Sequence, residues 1–284
     1  PMKRIAPLLL LLVLVSSAWA WWGVGHGILT QAAVQALPEE MPAFFLQGEE
    51  TVANVVHDAD LFKNRATPHL GNFEHSEHYF DTELLKGKKP PEMRYAFLDT
   101  CAALGLNPAK VGLLPYAVAE WTERLAMAFA EHRKWPDNLP IQHKCLVYAG
   151  MLSHYAEDTC QPLHVTIHFD GRKGADGTVV GKGIHEKVDG FVEKMELTPQ
   201  DLAKNQQVGS FDELMPAIFA QVEESRSLID RVYELEAEMG NVENPQVREF
   251  AEERMRATVQ FTASLYLTAW EMSEEIKLPG WHNR

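Results

Sequence analysis

The sequence predicts an all-α fold, built as a single multi-helix domain. Three observations support this prediction. Apolar residues recur at helical spacing along most of the chain, no stretch shows the alternation of repeated β-strands, and the last third contains two long amphipathic segments, 211–239 and 245–276. Helices with such apolar stripes bury them by packing side by side, as in a bundle.

Proline and glycine positions set the predicted helix boundaries in the first half of the chain. Four helical stretches are predicted there, at 28–37, 50–60, 93–104 and 107–133. The polar stretch 63–75 contains Pro68 and Gly71, and it is predicted to be a loop.

The strongly apolar stretch 142–157 is predicted to be a helix at the centre of the domain, because it offers water little polar surface. Residues 169–183 contain five glycines and predict a long surface loop, with a small hairpin around 178–180 as an option. A helix over 185–195 and the two long amphipathic helices complete the predicted fold.

The first twenty residues have the features of a secretory signal peptide. Two basic residues precede a wholly apolar run over 8–15, and Ala18 and Ala20 supply small residues in an A-x-A arrangement. The apolar run is short for a membrane span; an uncleaved anchor is the alternative. Cleavage before Trp21 would leave 264 residues. We therefore expect a secreted or periplasmic protein with a signal peptide over 1–20 and one domain over 21–284.

The exported chain would be strongly acidic. Without Lys3 and Arg4, 24 basic side chains stand against 40 acidic ones, which is a net charge of −16. Its general surface should therefore repel polyanions. A substrate that carries phosphate would need a local reversal of the field, which a bound metal cluster can provide.

The chain contains three cysteines, an odd number for an exported protein. Cys145 and Cys160 flank one predicted helix, and fifteen residues of straight helix span about 22 Å, which is too far for a disulfide. Any bridge is therefore expected to involve Cys101 and to leave one thiol free.

Two segments place histidine and aspartate four residues apart. In SHYAEDTCQPLH, His154 and Asp158 share one helix face and His164 follows shortly after, while GIHEKVDGF repeats the spacing with His185 and Asp189. Zinc binds imidazole nitrogens and carboxylates on rigid elements. A solvated ion pair is the alternative for either pair alone. The apolar neighbours of His154, however, predict a buried pair that needs a partner, and a metal supplies one.

Two further fragments carry candidate ligands. VHDADLFK offers Asp60, and FEHSEHYFDTE offers His78, followed by Tyr79 and Asp81. A solvated polar loop is the alternative interpretation of the second fragment.

Together these fragments resemble the superfamily of trinuclear-zinc phosphoesterases, which holds the zinc-dependent bacterial phospholipases C and the single-strand-specific zinc nucleases. Five segments carry the resemblance in the family's order: 21–26 (WWGVGH), 59–60 (AD), 77–82 (EHYFDT), 154–164 and 185–189 (HEKVD). The resemblance implies an all-α domain of phospholipase C/zinc nuclease type with a trinuclear zinc cleft. The chain departs from the family at Ala156-Glu157, since a glycine usually precedes the aspartate there.

The resemblance implies three Zn²⁺ per chain. The residues implied for the first zinc are Asp60, His78, His154 and Asp158, and those for a second, more open zinc are His164, His185 and Asp189. Asp158 would also bridge to a third zinc, held by His26 and by the free amino group and carbonyl oxygen of Trp21. An α-amino group has a pKa of about 7.7–8.0, low enough for a dication to displace its proton.

The implied reaction is hydrolysis of phosphodiester bonds. Zinc brings the pKa of bound water to about 7, so a separate strong base is not required. Asp60 is the expected catalytic residue, because it would orient the attacking water as well as bind metal.

The nuclease branch is favoured, with 5′-phosphate products and single-stranded DNA or RNA as the partner. Its supports are the Trp21-to-His26 spacing, Asp189 where phospholipases usually have glutamate, and the long gap from His164 to His185. Tyr79 and Asp81 would stack a base and hydrogen-bond its edge; core packing is the alternative for Tyr79. No protein partner is evident.

Two alternatives stay open. A phospholipase C acting on the headgroups of phosphatidylcholine-like lipids is favoured by HEKVDGFV and the last helix, and by the lack of an asparagine-rich patch before His185. A zinc-binding protein without turnover is the second alternative.

Overall fold

The computed structural model describes Trp21 and residues 23–174 and 176–283. Helices make up almost all of its regular structure, so the predicted all-α fold is confirmed. The predicted signal peptide lies outside the described residues, and its cleavage stays a prediction. Among the helices that are described, none has both the length and the apolar character needed to cross a bilayer.

The described part of the chain contains fifteen α-helices, three 3₁₀ segments and one hairpin. The helices are α1 (Gly23–Gln35), α2 (Ala43–Leu46), α3 (Glu49–Val55), α4 (Asp58–Phe62), α5 (Pro68–Glu74), α6 (Arg94–Ala103), α7 (Pro108–Val111), α8 (Leu114–Lys134), α9 (Leu139–Cys160), α10 (Ile184–Asp189), α11 (Phe191–Met195), α12 (Pro199–Ala203), α13 (Leu214–Ser227), α14 (Ile229–Glu234) and α15 (Pro245–Met272). The 3₁₀ segments are His75–His78, Thr82–Leu85 and Pro162–His164. Strands β1 (Arg172–Lys173) and β2 (Val179–Val180) pair antiparallel, with Arg172 opposite Val180.

Three long helices, α8, α9 and α15, form the centre of the fold and pack against one another. Helix α9 also packs against α1 and α3, and every residue from Ala149 to Cys160 is buried. This enclosure explains its apolar sequence, because a helix surrounded on all sides has no face for water. The prediction of a central helix is confirmed, and that helix carries His154 and Asp158.

Asparagine and proline set the starts of several helices. Asn138 accepts a hydrogen bond from the backbone N–H of Ile141 at the start of α9, and Asn244 accepts from the N–H of Gln246 at the start of α15. Each asparagine is an N-cap with a proline in the first turn that follows, where its missing N–H costs no hydrogen bond.

The structure corrects the predicted loop over 63–75, because α5 occupies Pro68–Glu74. Pro68 stands in the first helical turn rather than breaking the chain. Gly71 is buried, and a Cβ there would lie 3.0 Å from the carbonyl oxygen of Asn64. Pro68 and Gly71 suggested a loop, but Pro68 begins the helix and Gly71, within that helix, allows a close backbone contact.

Several predicted helices are interrupted. The helix predicted over 107–133 breaks at Gly112, which has φ +93° and where a Cβ would collide with the carbonyl oxygen of Tyr79. This close approach lets Asp81 N–H donate to the Val111 carbonyl at 2.6 Å. The predictions over 50–60, 185–195 and 211–239 each correspond to two helices, and the first of each pair ends at the C-cap residue Val56, Gly190 or Leu228.

All three cysteines are described, and all three are free and buried. Any bridge was expected to involve Cys101, and the structure has no disulfide among these three residues. Burial raises the pKa of the Cys145 thiol to about 12, so this cysteine stays a protonated core side chain.

Candidate metal centre

Histidines and aspartates from separate parts of the chain converge beside the C-terminal half of α9. Helix α9 supplies His154 and Asp158 from one face. The other members come from α1, α4, α10 and two 3₁₀ segments: His26, Asp60, His185, Asp189, His78 and His164. All eight side chains are buried. Within the described residues they form three groups whose ligand atoms lie close enough to hold a metal ion.

The first group contains Asp60, His78 and His154, with Asp158 against it. Nδ1 of His78 lies 3.0 Å from Nε2 of His154 and 3.0 Å from Oδ2 of Asp158. Oδ1 of Asp60 lies 3.7 Å from the same His154 nitrogen. Four ligands around a tetrahedral zinc with bonds of about 2.0–2.1 Å are separated by about 3.3 Å. The observed separations therefore fit one metal ion.

The second group contains His164, His185 and Asp189. The Nε2 atoms of the two histidines are 3.1 Å apart, and Nε2 of His185 lies 3.4 Å from Oδ2 of Asp189. Gln161 donates from Nε2 to the other carboxylate oxygen, Oδ1, at 2.8 Å. The amide therefore orients the carboxylate so that Oδ2 faces the two imidazoles.

The third group contains His26, His154 and Asp158. The rings of His26 and His154 stack with centroids 4.3 Å apart, and Nε2 of His26 lies 3.7 Å from Oδ1 of Asp158. That Oδ1 atom is buried and has no hydrogen-bond partner among the described residues. Asp158 thus presents Oδ2 to the first group and Oδ1 to the third, as a bridging ligand requires.

Backbone carbonyls determine which ring nitrogen faces the groups. Nδ1–H of His154 donates to the carbonyl of Val56 at 2.8 Å, and Nδ1–H of His164 donates to the carbonyl of His78 at 2.5 Å. A carbonyl can only accept, so the proton resides on Nδ1 in both rings. Nε2 then keeps its lone pair for a metal, which is the usual arrangement behind a metal-binding histidine.

Burial also sets the charge state of the centre. It lowers the pKa of His78, His154 and His164 well below the usual value, and that of His185 to about 4. These imidazoles are therefore neutral, as metal ligands must be. Burial raises the pKa of Asp158 and Asp189 well above the usual value. Buried carboxylates need a compensating cation, and the nitrogen and oxygen donors present fit zinc.

Sequence reasoning missed two charged residues that touch predicted ligands. Tyr155 donates its hydroxyl to Oε1 of Glu74, and the same oxygen lies 3.3 Å from Nε2 of His78. Lys63 forms an ion pair with Oδ1 of Asp60. Glu74 lies four residues before His78, and Lys63 lies three residues after Asp60. The predicted loop over 63–75 concealed the spacing of Glu74.

Trp21 is fully buried beside the third group. Its indole Nε1–H donates to the backbone carbonyl of Glu157 at 3.2 Å, one residue before Asp158. The indole of Trp21 and the ring of His26 therefore both contact Glu157. Ligation by the amine and carbonyl oxygen of Trp21 depends on cleavage before this residue and stays a prediction.

The segment from His78 to Asp81 is tied to its surroundings through the backbone. Phe80 is fully buried, and its N–H donates to the carbonyl of His164 at 2.8 Å. Tyr79 is partly buried and donates its hydroxyl to the Ala109 carbonyl at 2.5 Å. Burial, with a smaller contribution from Glu83, raises the pKa of Asp81 to about 7. Contact of Tyr79 and Asp81 with a substrate stays a prediction.

A further aromatic side chain, Phe169, lies at the second group. Its ring is about half exposed and meets the ring of His185 edge-on, with centroids 6.1 Å apart. In the sequence, only the position of Phe169 at the start of the glycine-rich loop could have indicated that it lies beside His185.

No protein-family model matches the sequence, and no curated protein matches it either. Among solved structures, the chain is similar to the alpha toxin from Clostridium absonum, with 13% sequence identity over 91% of this chain and 68% of that chain, and a TM-score of 0.49. The three metal-binding groups, rather than this likeness, carry the functional argument.

Proposed function

We propose that the protein is a zinc-dependent hydrolase of phosphodiester bonds with three Zn²⁺ per chain. One observation carries the proposal: three groups of buried histidines and aspartates lie together, His154 belongs to two of them, and the two oxygens of Asp158 face the same two. Bound zinc would supply Lewis acidity and activated water. Asp60, His78, His154 and Asp158 would hold one ion, and His164, His185 and Asp189 a second. His26, Asp158 and the mature N-terminus would hold the third.

The chain's own residues would orient the reactants. Asp60 lies at the edge of the first group with one carboxylate oxygen against Lys63, and it would position a water molecule by accepting a hydrogen bond. The Lys63 side chain is largely buried, so its ammonium group brings a weakly screened positive charge to a phosphate at this site. A cation is needed here because the whole chain has a net charge of −14.

Single-stranded nucleic acid is the first substrate class that we propose. The spacing from Trp21 to His26 and the aspartate at 189 support it, and so does the partly exposed ring of Phe169 beside the second group. Stacking of a base on an aromatic ring is worth about 1–3 kcal/mol. The products would carry a 5′-phosphate.

A phospholipid headgroup is the second candidate, and the structure supplies a specific reason. Large apolar side chains next to the centre are exposed: Leu61 by 60%, Phe73 by 55% and Phe169 by 49%. Leu61 follows Asp60 directly, and Phe73 is in the helix that carries Glu74. Apolar side chains held out to solvent beside a site suit a substrate that presents acyl chains.

The two substrates can be separated in one experiment. The chain starting at Trp21 is loaded with zinc and incubated with single-stranded DNA and, in parallel, with phosphatidylcholine vesicles. Loss of DNA with intact lipid supports the nuclease, and release of phosphocholine with intact DNA supports the phospholipase. Asp158→Asn serves as the inactive control. Full zinc content with neither activity and with an unreactive generic diester would instead indicate a zinc-binding protein without turnover.

A further inference from the structure

Glu157 is a fully buried carboxylate directly before Asp158, yet it belongs to none of the three metal-binding groups. Its two oxygens have separate donors on α1. Oε2 lies 2.5 Å from Nδ1 of His26, and Oε1 accepts the hydroxyl of Thr30 at 2.7 Å. His26 and Thr30 are one helical turn apart, so a single side chain of α9 binds one face of α1 at two points.

The contact with His26 selects the tautomer of that ring. A carboxylate that accepts from Nδ1–H leaves the proton on Nδ1 and the lone pair on Nε2. The Nε2 atom points to the opposite side, where Oδ1 of Asp158 lies 3.7 Å away. Backbone carbonyls perform this task for His154 and His164. At His26, in contrast, a side chain from the neighbouring helix α9 performs it.

The backbone of Glu157 contacts Trp21, the other end of the proposed third zinc site. Its carbonyl oxygen accepts the indole N–H of Trp21 at 3.2 Å. One residue therefore bonds to the ring of His26 through its side chain and to Trp21 through its main chain. Both are proposed ligands of the third zinc.

We propose that Glu157 is a positioning residue for the third zinc: it fixes the orientation and tautomer of His26 so that Nε2 faces Asp158. This inference rests on the proposed zinc centre. A positioning partner of this kind typically contributes about 10–100-fold to metal affinity. The first two zinc ions should be insensitive to it, because the hydrogen bonds of Glu157 go to Trp21, His26 and Thr30 rather than to the ligands of those two ions.

The test measures zinc content and stepwise zinc affinity by competition with a chromophoric chelator, without any activity assay. Four full-length mature chains are compared: wild type, Glu157→Gln, Glu157→Leu and Glu131→Gln. The last is the matched control, since Glu131 is also a buried glutamate and its Oε1 lies 2.5 Å from Nε2 of His282, outside all three groups.

We expect Glu157→Leu to weaken one zinc ion of three by about 10–100-fold. Glu157→Gln should lie between that variant and wild type, because the amide oxygen still accepts from Nδ1–H while the amide nitrogen cannot accept the hydroxyl of Thr30. Glu131→Gln should bind zinc like wild type. The Tm of the metal-free Glu157→Gln chain should match that of Glu131→Gln, which separates positioning of His26 from a general packing defect.

The outcomes distinguish the two proposals. A wild-type chain that binds no zinc overturns the proposed function. A wild-type chain that binds three ions together with an unchanged Glu157→Leu chain overturns the role of Glu157 and leaves the function standing. If Glu157→Leu does not fold, zinc affinity is measured in Glu157→Gln and Thr30→Val instead. Thr30→Val removes the hydroxyl that donates to Oε1 of Glu157. Unchanged zinc affinity in both variants refutes the inference.

Discussion

Nε2 of His154 lies 3.0 Å from Nδ1 of His78, although 76 residues separate the two along the chain. The Val56 carbonyl already occupies Nδ1 of His154, so Nε2 is the nitrogen that would bind metal. Oδ2 of Asp158 lies 3.6 Å from this atom and 3.0 Å from the His78 nitrogen. These three atoms form the shared part of the centre, and the first prediction tests it.

Replacing Asp158 should affect more than one zinc ion. Its two oxygens face different groups, so Asp158→Ala should lower zinc content by at least one ion per chain and phosphodiester hydrolysis by at least about 100-fold. Metal analysis with a generic diester substrate measures both quantities, and Glu131→Gln is the control. A variant that keeps three zinc ions and full activity would show that Asp158 is no ligand.

An extra residue before Trp21 should disable the third zinc. A chain that begins with an additional methionine moves the free amino group away from the indole that is anchored on Glu157. We expect it to lose one zinc ion and most activity, while its helical circular dichroism stays the same. Insertion after the domain's last helix is the control. Full activity in the methionine-extended chain refutes ligation by the amine.

Asp81 should destabilise the folded chain as pH rises. Burial raises its pKa from the usual 3.8 to about 7, so the folded state binds this proton more tightly than the unfolded state. The stability that it contributes is complete below pH 3.8 and is lost as pH rises through about 7. The Tm advantage of Asp81→Asn over wild type should therefore grow between pH 4 and pH 7 and level off above.

Thermal unfolding across that pH range measures this difference. Asp99→Asn, an exposed position on α6, controls for the loss of one surface carboxylate. An advantage of Asp81→Asn that is constant at every pH would contradict the raised pKa of Asp81.

Gly150 allows α3 to approach the central helix closely. A Cβ at this position would lie 2.6 Å from Cβ of Val55 and 2.7 Å from the carbonyl oxygen of Val52. Gly150→Ala should therefore lower the free energy of unfolding by about 1–3 kcal/mol, as expected for overpacking of a dense core. Urea titration measures it, with Gly209→Ala as the control, because a Cβ at Gly209 meets no atom within 4 Å. A neutral Gly150→Ala would mean that α3 can move away without cost.

Much of the candidate centre could be predicted from the sequence because its parts are local. His154 with Asp158 and His185 with Asp189 are four residues apart, and helical geometry alone places each pair on one face. The central position of α9 followed from its apolar composition for the same reason. These inferences need no knowledge of which helices are neighbours.

Other features depended on packing that no local pattern records. Gly112 interrupts a predicted helix because the backbone of Tyr79 passes against it, and α5 forms in a stretch with two residues typical of loops. Propensity at such positions is a small free energy, and tertiary contacts override it.

The sequence by itself determined the all-α class, the central helix and the helical pairing of the candidate ligands, since periodicity and short spacing decide these. Only the tertiary structure decided which pairs meet, that Asp158 faces two groups at once, and that Glu157 accepts from His26 across 131 residues. The physical reason is that a contact between distant segments depends on how whole helices pack, and the residues on either side of that contact carry no trace of it in their own sequence.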